Sequence, residues 1–245
     1  MRSKFSVGWL RITSAFIRSQ IGRVLAKAWH KTMPSFPVKR RVFGLDIYFD
    51  SRDHPFVWYA QRGALEEHEN IPVVLEKGRG LFWDVGANAG LYTLRAASLG
   101  MRVVSFDISP KAISYIRRSA ERNGLASRVT TVPRAFSVET IKYQPPTTAV
   151  ADNSLVAGEK KMTSITYVEA AAQYGVPNLI KMDIEGYEEV FLRSKEFKRW
   201  LLDNKIGWIV EVHKPEYWDL LWKDVKMTRL SVGVVFFEPD GYLVK

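Results

Sequence analysis

Between residues 81 and 132 one pattern repeats: a short apolar run, a tight turn, then helical spacing. "LFWDV" (81–85) precedes helix-like 89–99, "RVVSFD" (102–107) precedes helix-like 110–122, and "RVTTV" (128–132) follows Asn123 and Gly124. Farther on, "NLIKMD" (178–183) leads into another helix, and "GWIVEV" (207–212) comes after it. Short apolar runs alternating with helices predict an α/β fold built on a mostly parallel sheet with helices on both faces. The C-terminal "SVGVVFFEPDGYLVK" sets a Pro-Asp-Gly turn between two apolar runs and predicts a terminal antiparallel strand pair. Upstream, "RRVFGLDIYF" (40–49) reads as a small hairpin, and 55–77 as a helix with Trp58, Leu65 and Val74 facing the core. A chain of 245 residues, 47% of them hydrophobic, is expected to form one main domain over 42–245.

What precedes that domain differs in charge. The chain carries 36 Lys and Arg against 26 Asp and Glu, and ten of the cations (Arg2, Lys4, Arg11, Arg18, Arg23, Lys27, Lys31, Lys39, Arg40 and Arg41) precede the first acid, Asp46. Those ten account for the whole net charge of +10, so the body is balanced and any electrostatic partner is localised to residues 1–41. Within this leader Leu10, Phe16, Ile17, Ile21, Val24 and Leu25 recur at helical spacing, Arg11, Arg18 and Lys27 fall between them, and Trp9 and Trp29 sit near the ends. Three readings fit: a helix lying on anionic lipid, an organellar targeting segment, or an extra helix packed on the domain. No run reaches the ~18–20 apolar residues of a membrane span. A cytoplasmic protein is expected, peripheral to a membrane under the first reading. The absence of cysteine removes disulfides, thiolate nucleophiles and Cys-bound zinc. His30, His54, His68 and His213 show no metal-binding pairing.

The first turn, "DVGANAG" (84–90), is where a ligand is expected, because open parallel sheets bind ligands beyond the carboxyl ends of their strands. Gly86 permits a sharp turn, and Gly90 a close approach of ligand or strand to the backbone. Asn88 takes the place of a second glycine in dinucleotide-binding loops, and the last glycine of GxGxxG is missing. A small nucleoside-like ligand without a pyrophosphate fits better, which speaks against a nicotinamide-dependent oxidoreductase. Asp84 is placed to accept from loop amides or to bind an ammonium group. The next strand ends in Asp107, about 20 residues on, where an acid reaches the two hydroxyls of a ribose or, alternatively, begins a turn or caps the helix after Pro110.

Taken together, "FWDVGANAGLYTL" (82–94), "LIKMDIEGYEEVFL" (179–192) and "IVEVH" (209–213) resemble the FkbM family of S-adenosylmethionine-dependent methyltransferases, over residues 80–213. The resemblance implies a class I methyltransferase (Rossmann-like) fold, S-adenosylmethionine as cofactor, and transfer to a hydroxyl oxygen of a sugar, lipid-linked or other small-metabolite acceptor. It places Asp84, Gly86, Asn88 and Gly90 around the methionine part of the cofactor and Asp107 at its ribose. The sequence departs from the family pattern twice: Asp107 stands where Glu is usual, and "SITYVEAA" (164–171) replaces a Thr-Leu-Asp-like stretch.

Methyl transfer from a sulfonium to an alcohol is an in-line displacement, which requires aligned atoms, excluded water and an acceptor for the hydroxyl proton. Asp183, at the end of "LIKMD", and Glu185, in the turn that follows, are the first candidates. Strand alternation puts Lys181 on the side of Asp183, with Ile180 and Met182 on the other. Lys181 is then either a base with a lowered pKa or half of a structural ion pair. Glu211 and His213 share the rim of the next strand, and His213 is a candidate base because its ordinary pKa lies near neutrality. Tyr217, Trp218 and Trp222 either line an acceptor pocket or belong to the core. Asp183, Glu185 and Glu211 could in principle hold a divalent cation, but nothing in the sequence demands one and no metal ligands are assigned. The expected partner is a small hydroxylated molecule rather than nucleic acid. A nucleic-acid methyltransferase that uses the basic leader, and a non-catalytic membrane-associated binding module, stay open as alternatives.

Overall fold

The computed structural model describes residues 32, 34–52, 70–144, 162–231, 233–240 and 242. The expected leader helix, with Trp9 and Trp29, and the first part of the expected 55–77 helix, with Trp58 and Leu65, lie outside those residues. The described chain opens with the expected hairpin: β1 (Pro37–Val42) pairs antiparallel with β2 (Leu45–Asp50). Next come α1 (Asn70–Lys77), β3 (Leu81–Val85), α2 (Leu91–Ser98), β4 (Arg102–Phe106), α3 (Pro110–Arg122) and β5 (Val129–Val132). Four two-residue strands, β6 (Phe136–Ser137), β7 (Lys142–Tyr143), β8 (Met162–Thr163) and β9 (Ile165–Thr166), lead to α4 (Tyr167–Tyr174). The chain then forms β10 (Leu179–Met182), α5 (Glu188–Arg193), α6 (Lys195–Asp203), β11 (Gly207–Glu211), a 3-10 turn (Pro215–Leu220), β12 (Lys226–Ser231) and β13 (Val234–Glu238).

Seven of these strands make one sheet in the order β12-β13-β11-β10-β3-β4-β5. The β3, β4, β5, β10 and β11 pairings are parallel, and β13 runs antiparallel to both β11 and β12. The sheet therefore has the predicted α/β form with a C-terminal antiparallel pair. The reversal, however, lies between Ser231 and Val234, where Gly233 takes φ 87°, and not at the Pro-Asp-Gly motif. The later turn has a different task. Tyr242 N donates to Pro239 O (3.0 Å), and the Tyr242 ring folds back onto Phe236 (5.5 Å between centroids) over Gly207.

Strand alternation divides the core as the sequence predicts. Trp83, Val85, Ile180, Met182, Trp208 and Val210 face one layer with Phe191, Phe197 and Leu201 of α5 and α6. Phe82, Leu179 and Ile209 face the other, with Ile71 and Leu75 of α1 and Ala96 of α2. Every residue of β3 is buried, as a strand covered on both faces must be. Val74 packs against the second layer as expected.

The hairpin is docked on α3. Tyr48 N donates to Ser119 Oγ (2.9 Å) and Asp46 N to Asn123 Oδ1 (2.9 Å), so helix side chains cover amides that an edge strand would otherwise present. Asp50 locks the end of β2: its buried carboxylate pairs with Lys111 Nζ (2.7 Å) and accepts from Ser35 Oγ (2.8 Å), Tyr115 OH (2.9 Å) and Arg52 N (2.9 Å).

The chain builds β3, β4 and β5 outward in one direction and then crosses back to place β10 on the other side of β3. The loops after β3 and β10 meet at this switch point, where a parallel sheet opens a crevice. Contact there is tight. Gly86 has φ 73°, and a Cβ on it would stand 1.7 Å from the Asp183 carbonyl oxygen. Asp183 N in turn donates to Val85 O (3.0 Å).

Replacing Gly86 by Ala should destabilise the protein by ~3 kcal/mol, because it combines a left-handed backbone with overpacking against a backbone carbonyl; an unchanged urea midpoint would contradict this. For Asp50, burial opposes the ionised form, but Lys111, Ser35 and Tyr115 outweigh it and hold the pKa well below the usual carboxylate range. Its stabilisation is therefore present above the unfolded value of ~3.9 and lost as pH falls through the folded value. Asp50→Asn should cost about 3 kcal/mol at pH 7, and its gap to the parent should narrow in denaturation curves below roughly pH 4.

Candidate active site

Asp84 enters the crevice from inside β3 and is fully buried. Thr93 Oγ1, one turn into α2, donates to Asp84 Oδ2 (2.6 Å) and lies 2.8 Å from Ser105 Oγ of β4. Asp84 Oδ1 has no hydrogen-bond partner, and Lys181 Nζ stands 3.9 Å away. Burial raises the Asp84 pKa, while Lys181 and Thr93 pull it back. The loop that follows turns on three left-handed residues, Gly86 (φ 73°), Asn88 (φ 50°) and Gly90 (φ 81°). The close approach at Gly90 comes from α3: a Cβ there would meet Ile116 Cγ1 at 2.8 Å.

At the end of β4 the Asp107 carboxylate accepts from Asn88 N (2.8 Å) and Ser109 N (2.8 Å). It thus opens the turn into α3 and ties that turn to the glycine loop. Ser109 caps the helix itself, accepting from Ala112 N (3.2 Å). Burial pushes the Asp107 carboxyl up to about 6 against the pull of the two amides. A carboxylate has about four acceptor positions, so Asp107 retains capacity for ligand hydroxyls. The orphaned Asp84 Oδ1, the open acceptor positions of Asp107 and the left-handed loop between them fit a nucleoside-like cofactor.

From Asp84 a row of alternating charges crosses the sheet. Lys181 Nζ, on β10, is buried, lies 3.3 Å from Asp183 Oδ2, donates to Gly86 O (3.4 Å) and faces the Tyr92 ring at 5.6 Å. Burial would lower the Lys181 pKa, but Asp183, Asp84 and Glu211 outweigh it and raise it. Of the two sequence readings, this is the geometry of an ion pair rather than of a neutral amine. Asp183 Oδ1 lies 3.4 Å from His213 Nε2, which is 3.6 Å from Glu185 Oε2. On its other side His213 Nδ1 is 3.1 Å from Glu188 Oε1. Burial would lower the His213 pKa, but Glu188, Asp183 and Glu211 raise it to about 9. Burial and the Asp183 charge push Glu211 up to about 7, with Lys181 and His213 opposing. Burial, then Asp183, also raises Glu185, whose backbone takes φ 55°.

The structure therefore brings Asp84, Lys181, Asp183, Glu185 and His213 together, with Gly86, Asn88, Gly90 and Asp107 framing one side. Glu188 and Thr93 belong to the same cluster and escape sequence reading. Their signals are slight: an acid in a helix's first turn, and a hydroxyl among apolar neighbours one turn after the glycine loop. Tyr217 and Trp222 are core: Tyr217 OH donates to Gly186 O (3.0 Å), Trp222 Nε1 donates to Leu192 O (2.9 Å), and Trp222 packs on Trp208 (5.0 Å). Trp218 is half-buried beneath Arg229 (4.9 Å). Asp183, Glu188 and His213 bring one ligand atom each within 4.8 Å of one another. Both Glu188 oxygens already accept backbone amides and His213 faces the acids, so no cation is needed to account for the group.

No curated protein matches the chain. Among solved structures, a 16S rRNA N2 G1207 methyltransferase from T. thermophilus, determined with AdoMet and guanosine, is similar at 16% identity and a TM-score of 0.51, covering 84% of this chain and 50% of that one. An RNA methyltransferase from Salinibacter ruber with S-adenosyl-L-homocysteine is similar at 12% identity and a TM-score of 0.40, covering 74% of this chain and 94% of that one. A SAM-dependent methyltransferase from Agrobacterium tumefaciens is similar at 11% identity and a TM-score of 0.41, covering 72% and 52%. The chain spans about half the length of the first and third of these. At 16% identity the first of these shows the fold, which is that of class I methyltransferases. Residues 84–229, more than half of the chain, match the methyltransferase FkbM domain. The chain carries a methyltransferase FkbM domain and belongs to the FkbM family.

Proposed function

We propose that the chain is an S-adenosylmethionine-dependent methyltransferase that acts on a hydroxyl oxygen of a small acceptor: a sugar, a lipid-linked group or another small metabolite. The observation that supports it is the acidic rim at the carboxyl ends of β10 and β11, where Asp183, Glu185 and Glu211 stand beside the 86–90 loop. Such a rim accepts hydrogen bonds from hydroxyls and repels a phosphate backbone, so it favours a polyhydroxy molecule over RNA.

S-adenosylmethionine supplies a methyl group on a positively charged sulfur. In this reading Asp107 binds the ribose hydroxyls with its remaining acceptor positions, while Asp84, Gly86, Asn88 and Gly90 surround the methionine part. Lys181 neutralises Asp84 and Asp183 together and fixes the direction in which Asp183 points. Asp183 then orients the acceptor hydroxyl, and Glu185 closes the outer rim. Glu211 takes the hydroxyl proton: it forms no ion pair with any described residue, and its pKa of about 7 matches the task near neutral pH. Holding oxygen, methyl and sulfur in line is where most of the rate should arise. The leader, in the same reading, makes a peripheral contact with anionic membrane, which would bring a lipid-linked acceptor within reach.

Calorimetric titration of S-adenosylhomocysteine tests the cofactor half without knowledge of the acceptor. The parent should bind, and Asp107→Ala should bind at least ~10-fold more weakly, about 1.4 kcal/mol; equal affinity would remove Asp107 from the site. Once an acceptor is found by transfer of labelled methyl, kcat should rise with pH through about 7 as Glu211 loses its proton. Glu211→Gln should lower kcat by ~10²–10⁴ and abolish that rise. A profile unchanged in the variant would assign the proton to another group. Pelleting with anionic phospholipid vesicles tests the leader: binding should weaken at high salt and be lost on deleting residues 1–31.

A further inference from the structure

Glu188 is fully buried, yet among the described residues no lysine or arginine pairs with it. Its oxygens are divided between two tasks. Oε1 accepts from Ile184 N (2.7 Å) and Oε2 from Gly186 N (2.8 Å), which closes the turn that carries Asp183 and Glu185. Oε1 also lies 3.1 Å from His213 Nδ1, across the gap between α5 and the end of β11. The imidazole is thereby flanked by carboxylates at both nitrogens, with Asp183 Oδ1 at 3.4 Å and Glu185 Oε2 at 3.6 Å from Nε2. These are ion-pair distances rather than aligned hydrogen bonds, since Nδ1 is buried without a hydrogen-bond partner; a ring with carboxylates this close on both sides is attracted to them only in its charged form, whereas a neutral ring turns a lone pair toward one of the acids.

We propose that Glu188 is a positioning residue: its carboxylate fixes the 183–186 turn and the His213 ring together, and makes His213 a fixed positive charge on Asp183 and Glu185 rather than the proton acceptor of the reaction. The second clause rests on the methyl-transfer reading above; the first does not. Among the described residues, the charged groups nearest the ring are acids. Glu188 comes from α5, Asp183 and Glu185 from the turn after β10, and Glu211 from β11 itself, against the Lys181 cation on the far side of Asp183. Burial alone would discharge His213, and these acids outweigh it. An imidazole that must lose a proton before it can take one is a poor base near pH 7. A ring that stays charged can hold two mutually repelling carboxylates at fixed positions beside the cofactor loop.

NMR titration of the histidine rings in the 245-residue chain, with His213 assigned from a His213→Gln variant, tests this without acceptor or turnover. In the parent His213 should stay doubly protonated at pH 7.5 and titrate near about 9. Glu188→Gln keeps the shape and an amide-accepting oxygen, and should drop the midpoint toward the ordinary ~6.5. Should that variant fail to fold, Asp183→Asn, which leaves the Glu188 bonds intact, should still lower the midpoint. A parent His213 that is neutral at pH 7.5, a midpoint unmoved in a folded Glu188→Gln variant or, where that variant does not fold, one unmoved in Asp183→Asn would overturn the proposal. S-adenosylhomocysteine binding measured on the same samples separates the two readings: its absence in a parent with charged His213 would count against the cofactor site and leave the Glu188 assignment standing.

Discussion

The site depends on a row of alternating charges that runs across three neighbouring strands: Asp84, Lys181, Asp183, His213 and Glu188, with successive separations of 3.9, 3.3, 3.4 and 3.1 Å. Each link joins a different pair of segments. Asp84 belongs to β3, Lys181 and Asp183 to β10 and its turn, His213 follows β11, and Glu188 begins α5. Ions held this far from water are costly singly and tolerable in sequence, because each has an opposite neighbour and the ends are tied to Thr93 and to backbone amides. The row needs the two crevice loops to be nearly in contact. Gly86 permits that by giving up a side chain where the Asp183 carbonyl passes, and Lys181 uses the same closeness to reach Gly86 O.

The fold and the front of the site were legible because they rest on local rules. Fully apolar strands require cover on both faces, alternation sorts Lys181 from Ile180 and Met182, and a glycine-rich turn after the first strand marks the crevice. Each of these is a property of a few consecutive residues. What escaped reading was long-range. Nothing near Glu188 in sequence says that a histidine 25 positions later will lie against it. Thr93 resembles any small helix residue until β4 brings Ser105 beside it and β3 brings Asp84. The Pro-Asp-Gly turn misled for the same reason: its dipeptide chemistry predicts a reversal correctly, but whether the chain reverses into a strand or folds an aromatic ring onto Gly207 depends on what the sheet leaves open there.

Asp107 shows how a local reading and a functional one can both hold. By sequence an acid at the end of the second strand is either a ribose ligand or the start of a turn, and its two bonds, to Asn88 N and Ser109 N, make it the second without removing the first. Because one of those amides belongs to the glycine loop, the carboxylate sets the position of the loop that it would share with a cofactor. The shorter side chain is consistent with this: an acid that must reach back to an amide in the neighbouring loop gains little from an extra methylene.

The same environment separates charges that hold geometry from the group suited to move a proton. Every acid in the row already has a cation or amides against it. Glu211 lies next to the row, shares its burial and feels the Asp183 charge, yet makes no ion pair with a described residue. Burial and the Asp183 charge outweigh Lys181 and His213 at Glu211 and bring it to about 7, while the imidazole two residues on is driven to about 9. Two neighbouring titratable groups pushed apart in this way have exchanged the roles their ordinary chemistry would suggest, the carboxylate becoming the better base and the histidine the more permanent charge. That exchange follows from the position of Glu188, since without an acid at Nδ1 the ring would face Asp183 and Glu185 from one side only.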